Sequence, residues 1–193
     1  HRLILIEDDI HAFLTAGIIP DYQQPMFNLL PEQSIYICGT SKPICSGLRV
    51  AYLVYGDAFR EKILQAIFNI NVKTSSLDAE IITELILSGK AHEIASHKQQ
   101  LAQDANDIYT QYFPQQKIIG HPLSFYRWLS IKEHNDGVLL EKDLKQHGVR
   151  VFHSDRFLSG STTPNKYLRI ALSSTSSLEE LKIGLERLKN YLS

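Results

Sequence analysis

The stretch Ser34-Ile35-Tyr36-Ile37-Cys38-Gly39-Thr40-Ser41-Lys42 joins a short apolar run to a tight polar loop that ends in a lysine. Short apolar runs bounded by turn residues are typical of strands. A second such run, from Val50 to Tyr55, begins directly after Arg49. The pattern therefore predicts two consecutive strands whose connection carries both a lysine and an arginine.

An acidic loop follows the first apolar run of the chain, Leu3 to Ile6, and reads Glu7-Asp8-Asp9. Residues 2–7 predict a strand buried on both faces, as in a parallel sheet. A solvated loop is the ordinary explanation of such an acidic pair. A receiver domain has a similar acidic pocket, but it needs a phospho-accepting aspartate before its lysine, and here Lys42 precedes the candidate Asp57. The order of these residues excludes that class.

The lysine, the arginine and the first aspartate have the chemistry that pyridoxal phosphate requires of a protein. A buried carboxylate beside the pyridine nitrogen, the role we expect for Asp8, keeps that nitrogen protonated through a bond worth about 1.5–3 kcal/mol. The forked donors of Arg49 suit a phosphate dianion, and the amine of Lys42 can bind an aldehyde covalently. We therefore predict a pyridoxal phosphate site in which Asp8 faces the ring nitrogen. Hydroxyl donors next to the lysine, on Thr40 and Ser41, would add to the phosphate contacts.

Helical periodicity dominates the middle of the chain and returns near its end. It runs through residues 76–113 with a break at Gly89, and further helices are predicted over 136–147 and 178–192. Short apolar runs predict strands at 118–119, 124–131, 149–152 and 167–172. Strands that alternate with helices indicate an α/β or α+β architecture. We place the boundary between two domains near Gly89, which gives residues 1–89 and residues 90–193.

The composition excludes several classes of function. The net charge is −1 with 21% charged residues, and the absence of a basic cluster argues against DNA binding by this chain itself. Two cysteines suggest a reducing, cytoplasmic environment, and no apolar run approaches the roughly 18 residues of a membrane span. His92 and His97 would lie about 140° apart around a helix, which does not suit the histidine pair of a zinc site. We predict no metal site.

The motifs of the first half resemble the fold-type-I aminotransferases, which depend on pyridoxal phosphate. The similarity rests on Glu7-Asp8-Asp9, Gly39-Thr40-Ser41-Lys42 and Gly47-Leu48-Arg49-Val50, and it continues through Tyr167-Leu168-Arg169-Ile170. It implies an α/β chain that forms the C-terminal half of such a protein. Residues 1–89 would be part of the cofactor-binding large domain, and residues 90–193 the long helix and the small domain.

The same resemblance implies a role for each site residue. Lys42 would bind the cofactor covalently and be the catalytic lysine, while Asp8 would face the ring and Arg49 the phosphate. Arg169 would bind the α-carboxylate of a substrate or effector. A homodimer is also implied, since such sites are usually completed across a subunit interface.

The tail narrows the resemblance to the MocR-type regulators of the GntR family. It carries Gly120-His121-Pro122, Trp128-Leu129 and Arg156-Phe157 in the order that these proteins have. This implies an effector domain that senses pyridoxal phosphate and an amino acid or amine with a carboxylate. DNA would be read by a winged helix-turn-helix domain that precedes this chain. The alternative is an active aminotransferase that acts on an α-amino acid, because both classes need the same residues.

Two positions depart from the aminotransferase pattern. Gly39 stands where the family often has a phosphate-binding serine or threonine, so we expect Thr40 or Ser41 to supply that hydroxyl. His11 stands near the position of a tyrosine that commonly reaches the 3-hydroxyl of the cofactor, and we take it as a candidate ligand, although a loop histidine without a role is the simpler explanation. The family's ring-stacking aromatic would lie upstream of residue 1, so we expect these 193 residues to bind the cofactor weakly or not at all on their own.

Overall fold

A computed structural model of the chain describes residues 3–15, 23–116, 121–131, 136–160 and 165–193. The chain divides into two compact units, His1–Lys98 and Gln99–Ser193. Each unit contains one sheet of three strands among the described residues. The strand predicted at 118–119 lies outside the described residues.

The sheet of the first unit combines a parallel and an antiparallel pair. Strand β1 (Leu5–Asp8) pairs in parallel with β2 (Ser34–Gly39), and β2 pairs in antiparallel fashion with β3 (Ala51–Tyr55). In this register Asp8 lies opposite Ile37. The carboxyl ends of β1 and β2 therefore meet at the same edge of the sheet.

The prediction that the first strand is buried on both faces was wrong. Leu3 is 79% exposed, and Ile4 and Ile6 are also largely exposed. Among the described residues, β1 is an outer strand that pairs with β2 alone. An apolar run indicates that both faces of a strand are suited to burial, but it does not identify the residues that would pack against them.

Helices follow the sheet of the first unit. In the described part of the connections lie short 3-10 segments: Ala12–Leu14, Met26–Asn28, Pro31–Gln33 and Asp57–Phe59. Helix α1 spans Arg60–Asn71, α2 spans Ser76–Leu87 and α3 spans Lys90–Tyr112. Gly89 adopts a left-handed φ of 78° between α2 and α3, a conformation that glycine tolerates best, and this confirms the predicted break. The boundary between the compact units falls within α3, and the division at residue 89 stays a prediction.

Where the structure describes it, the second unit is an antiparallel sheet with two further helices. Its strands are β4 (Tyr126–Ile131), β5 (Phe152–His153) and β6 (Lys166–Ala171), in the order β4-β6-β5. Helix α4 spans Gly137–Gln146 and α5 spans Leu178–Leu192. A strand was predicted at 149–152, but the observed strand β5 includes only Phe152 of that range, together with His153. Val149 and Val151 are buried, yet they lie outside the strand.

Helix caps in the second unit are made by the local sequence. Oδ1 of Asp136 accepts hydrogen bonds from the amides of Val138 and Leu139 at 2.8 and 3.1 Å, and Ser177 Oγ accepts one from Glu180 at 3.1 Å. Such caps satisfy amide groups that the first helical turn leaves unpaired. They explain why α4 and α5 begin where the sequence pattern predicts.

The two units differ in how much apolar surface they bury. Leucines of the second unit form a core with side chains at most 2% exposed: Leu129, Leu144, Leu168, Leu185 and Leu188. Each contributes roughly 1.5–3 kcal/mol when fully buried. In the first unit the buried apolar side chains among the described residues are few: Leu14, Val50 and Ile82. The second unit therefore has the larger core.

Arg127 occupies an unusual place for a charged residue, since it is only 2% exposed. Its guanidinium donates to the carbonyl oxygens of His121 and Pro122 at 3.0 and 2.7 Å. Burial lowers the pKa of Arg127, and burial raises the pKa of its neighbour Tyr109 to about 12. The His121-Pro122 motif thus holds a buried cation at the start of β4.

Candidate functional site

The parallel pairing of β1 and β2 brings the acidic loop and the lysine loop to one edge of the sheet. The amide of Asp9 donates to the carbonyl of Ile37 at 3.0 Å, which extends the pairing by one residue beyond β1. The chain then turns at His11, while the neighbouring strand leads into Thr40 and Lys42. Crevices at the carboxyl ends of parallel strands are common ligand sites in α/β proteins.

The electrostatic surroundings of His11 show which charged groups share this edge. Its imidazole is half-buried, and burial is the main reason why the pKa of His11 is lowered. The charge of Lys42 lowers it further, whereas Asp8 and Asp9 raise it. Because charge interactions weaken with distance and are screened by water, these groups are neighbours. The predicted Lys42, Asp8 and His11 therefore lie in one cluster.

The two aspartates at the end of β1 have different environments. The prediction that Asp8 is a buried carboxylate was wrong: its side chain is exposed, because β1 is an outer strand among the described residues. Asp9 accepts a hydrogen bond from the Tyr36 hydroxyl at 3.1 Å. Its charge also contributes, after burial, to the raised pKa of the Cys38 thiol. The sequence did not single out Asp9, although a tyrosine on the adjacent strand was a possible signal.

The lysine loop is closed by hydrogen bonds to Thr40. The carbonyl of Thr40 accepts from the amides of Ile44 and Cys45 at 2.9 and 3.2 Å. The Thr40 hydroxyl is buried and donates to the carbonyl of Val50 at 2.7 Å. Its one proton is therefore engaged within the loop. Lys42 itself is half-buried in the turn that follows.

Arg49 and Ser41 form the cationic side of the loop. Nη1 of Arg49 donates to Ser41 Oγ at 3.4 Å, and both groups are accessible to solvent. Arg49 has a φ of 52°, which is uncommon for a residue other than glycine and costs on the order of 1–3 kcal/mol. A guanidinium and a hydroxyl in contact are a donor set that suits phosphate oxygens.

A lysine that the sequence analysis missed also contacts this loop. Nζ of Lys98, on α3, donates to the carbonyl oxygens of Lys42 and Ile44 at 2.9 and 2.7 Å. No local pattern could have identified it, because it lies 56 residues from Lys42.

Arg169 lies in the second unit, on the central strand β6. It pairs with Trp128 on β4 and with Phe152 on β5. Its Cζ lies 3.9 Å from the ring centroid of Tyr126 and 5.4 Å from that of Phe157. Stacking on aromatic rings is a favourable cation–π contact and fixes the guanidinium plane, whose edge carries the hydrogen-bond donors.

Aromatic side chains surround this arginine. The Trp128 ring meets Phe157 edge to face at 5.4 Å and Tyr167 at 6.3 Å. We call this surface the aromatic face, defined by Tyr126, Trp128, Phe152, Phe157 and Tyr167. An arginine held among aromatic rings can pair with a carboxylate while the rings contact the apolar part of a ligand.

No known family model matches the chain. The chain is 29% identical over all of its 193 residues to an uncharacterized HTH-type transcriptional regulator, YdeF, of Bacillus subtilis (strain 168). It spans 41% of that regulator. Among the described residues, no helix combines the length and the apolar character that a membrane crossing requires.

Solved aminotransferase structures share the fold. LysN, an α-aminoadipate aminotransferase from Thermus thermophilus, has a TM-score of 0.79 at 21% identity, and the match covers 98% of this chain and 50% of LysN. A kynurenine aminotransferase from Pyrococcus horikoshii has a TM-score of 0.83 at 15% identity, with 98% and 47% covered. The chain thus spans about half the length of these enzymes. It has the mixed α/β fold of the C-terminal half of the fold-type-I aminotransferases.

Proposed function

We propose that the chain is the pyridoxal phosphate-binding, aminotransferase-like effector domain of a GntR/MocR-type transcriptional regulator. The observation that carries the proposal is the clustering of Lys42, Asp8 and His11 at the carboxyl ends of two parallel strands. The contact between Arg49 and Ser41 in the loop that follows supports it. These groups together offer an amine, a carboxylate and an anion-binding pair.

The residues of this cluster fit the chemistry of the cofactor. Lys42 would bind the aldehyde, and Asp8 would face the pyridine nitrogen. Arg49 and Ser41 would hold the phosphate, since their donors face solvent, whereas Thr40 would support the loop through its bond to Val50. When bound, pyridoxal phosphate supplies an aldehyde that reacts with amines and a ring that accepts electrons.

His11 has a separate role in the proposal. The charge of Lys42 lowers the pKa of its imidazole, whereas the charges of Asp8 and Asp9 raise it. We assign it to the 3-hydroxyl side of the cofactor, where a neutral ring nitrogen can accept or donate a hydrogen bond. The lowered pKa of His11 favours that neutral form.

Ligand recognition would depend on Arg169 and the aromatic face. The stacked guanidinium would bind the carboxylate of an amino acid or of an amine that also carries a carboxylate. The rings beside it would contact the apolar part of that ligand. The proposed regulator is a homodimer and has a DNA-reading domain outside this chain. Similarity to the Bacillus subtilis HTH-type regulator over the whole chain supports the choice of a regulator.

The cofactor assignment is tested by covalent labelling. The full-length protein is incubated with pyridoxal phosphate, reduced with borohydride and mapped by mass spectrometry. We expect the label on Lys42, and we expect Lys42→Ala to remove both the label and the visible absorbance of the bound cofactor. Lys62→Ala, a change at an exposed lysine of α1, is the matched control. A wild-type protein that stays colourless with added cofactor would refute the proposal.

The alternative function is an active aminotransferase that acts on an α-amino acid, and the fold shared with solved aminotransferases favours it. In that case Lys42 would also move the α-proton of the substrate as a general base. The two functions differ in their product. A catalyst releases an oxo acid over many turnovers, whereas a regulator changes its affinity for DNA when the amino acid is added. Multiple turnovers without any effect on DNA binding would favour the enzyme.

A further inference from the structure

Lys98 is bound to the backbone of the loop that carries Lys42. Its Nζ donates to the carbonyl of Lys42 at 2.9 Å and to that of Ile44 at 2.7 Å. Both bonds are partly buried. Hydrogen bonds from a charged donor are about twice as strong as those between neutral groups. One ammonium group therefore joins two alternate carbonyls of this turn.

These two bonds complement those inside the loop. The Thr40 carbonyl accepts from the amides of Ile44 and Cys45, and so it fixes the N–H groups at the end of the turn. Lys98 fixes the C=O groups of Lys42 and Ile44 from outside. With both kinds of backbone group engaged, the peptide planes next to Lys42 have little freedom to rotate, and this sets the direction in which its side chain leaves the turn.

The charges of the two lysines are also close to one another. Burial is the main reason why the pKa of Lys98 is lowered, and the charge of Lys42 lowers it further, while Cys45 raises it. The carbonyl oxygens offset part of this repulsion because they are acceptors for the Lys98 ammonium. The two hydrogen bonds thus hold a cation beside Lys42.

We propose that Lys98 is a positioning residue that fixes the backbone of the Lys42 turn and thereby presents the Lys42 amine to an aldehyde ligand. The inference rests on the proposed function for the ligand, but the fixing of the turn is independent of it. Lys98 touches no reacting atom in this proposal and acts through Lys42.

Amide hydrogen exchange of the full-length, cofactor-free protein tests the fixing of the turn. We expect Lys98→Met to speed exchange at Ile44 and Cys45 about tenfold, since two hydrogen bonds to a charged donor are lost. Lys98→Arg should restore most of the protection. The matched control is Lys90→Met on the same helix, which removes an exposed ion pair with Glu93 and should leave these two amides unchanged. Equal exchange in wild type and Lys98→Met would overturn the proposal.

The rate of covalent labelling tests the effect on Lys42. With pyridoxal phosphate and borohydride, labelling of Lys42 should slow in Lys98→Met by about tenfold and recover in Lys98→Arg. Faster exchange with unchanged labelling would show that the turn is fixed without consequence for Lys42, and it would overturn the positioning role. A wild-type protein that takes up no label would refute the proposed function instead, and the exchange data would still decide the role of Lys98. If Lys98→Met fails to fold, Lys98→Gln replaces it in both measurements.

Discussion

Cγ2 of Ile10 lies 3.2 Å from the position that a Cβ atom would take at Gly39. The two residues lie at the carboxyl ends of neighbouring strands, where the candidate cofactor site is formed. A separation this short is tighter than an ordinary van der Waals contact. Ile10 therefore lies tightly against the space that a side chain would need at Gly39, the position that departs from the aminotransferase pattern.

This contact predicts that positions 10 and 39 are coupled. Gly39→Ser alone should lower the free energy of unfolding by about 1–3 kcal/mol, because the added atoms force Ile10 to move. In an Ile10→Ala background the same change should cost less, by at least about 0.5 kcal/mol. Chemical denaturation of wild type, both single variants and the double variant measures this coupling. Strictly additive values would contradict it.

A second prediction concerns the ring beneath Arg169. Tyr126→Leu removes the ring that stacks on the guanidinium at 3.9 Å, and we expect it to weaken binding of a carboxylate-bearing amino acid by about 0.5–2 kcal/mol. Tyr126→Phe keeps the ring and should bind almost as wild type does. Calorimetry on the full-length protein with an amino acid and with its decarboxylated amine provides the measurement.

The amine is the control ligand in that experiment, because it lacks the group that Arg169 would bind. Its affinity should fall less in Tyr126→Leu than the affinity of the amino acid does, because the amine can lose only a contact with the ring. If both ligands lose affinity equally, the tyrosine contacts the ligand in another way and the predicted role of the ring is wrong.

Local sequence signals predicted the helices of the second unit well. The final helix was predicted over Leu178–Leu192, which is its observed span, because its apolar period and the caps are encoded within a few residues of each other. The signal for the helix break at Gly89 was also local, because it depends on that glycine alone. The predicted ends of strands were less accurate than those of helices. Val151, for example, is apolar and buried, but the strand begins only at Phe152.

Contacts between distant parts of the chain left no such signal. Lys98 binds a loop more than fifty residues away, and the Tyr36–Asp9 bond spans 27 residues. The exposure of β1 could not be predicted either, because apolar composition does not identify which residues pack on the faces of a strand. The sequence offered candidate site residues, whose roles stay predictions, whereas the contacts of Lys98 and Tyr36 with the loops that carry them required the fold.

A third prediction uses two glycines at helical positions. Gly137 is buried in the first turn of α4, and a Cβ there would collide with the imidazole of His153, which is 1% exposed. Gly184 lies inside α5, and a Cβ there would meet no atom within 4 Å outside its own helix. We expect Gly137→Ala to destabilise the second unit by about 1–3 kcal/mol and Gly184→Ala to stabilise it by up to about 1 kcal/mol.

Fluorescence of Trp128, the single tryptophan of the chain, reports unfolding of this unit during denaturation. The two variants are matched, because each adds one methyl group at a helical glycine. A Gly137→Ala variant as stable as wild type would mean that His153 can move aside at no cost.

The last prediction concerns acid stability and rests on Glu141. Its carboxylate accepts hydrogen bonds from Nε and Nη2 of Arg156 at 2.8 and 2.7 Å and from the amide of His153 at 2.7 Å. Burial raises the pKa of Glu141, but the bonds from Arg156 and from His153 outweigh burial, so that the pKa lies below its ordinary value of 4.5. Since the unfolded chain takes up the proton first, the carboxylate stabilises the fold above pH 4.5, and this contribution is lost as the pH falls through the lowered pKa.

Glu141→Gln should therefore lower the free energy of unfolding at about pH 7 and reduce its decline toward about pH 3. Urea denaturation followed by Trp128 fluorescence across this range is the measurement. Glu179→Gln is the matched control, because Glu179 is 73% exposed in its pair with Lys182 and exposed pairs contribute little. If the stability of Glu141→Gln runs parallel to that of wild type across the acid range, other carboxylates control acid unfolding, and the Glu141–Arg156 pair does not.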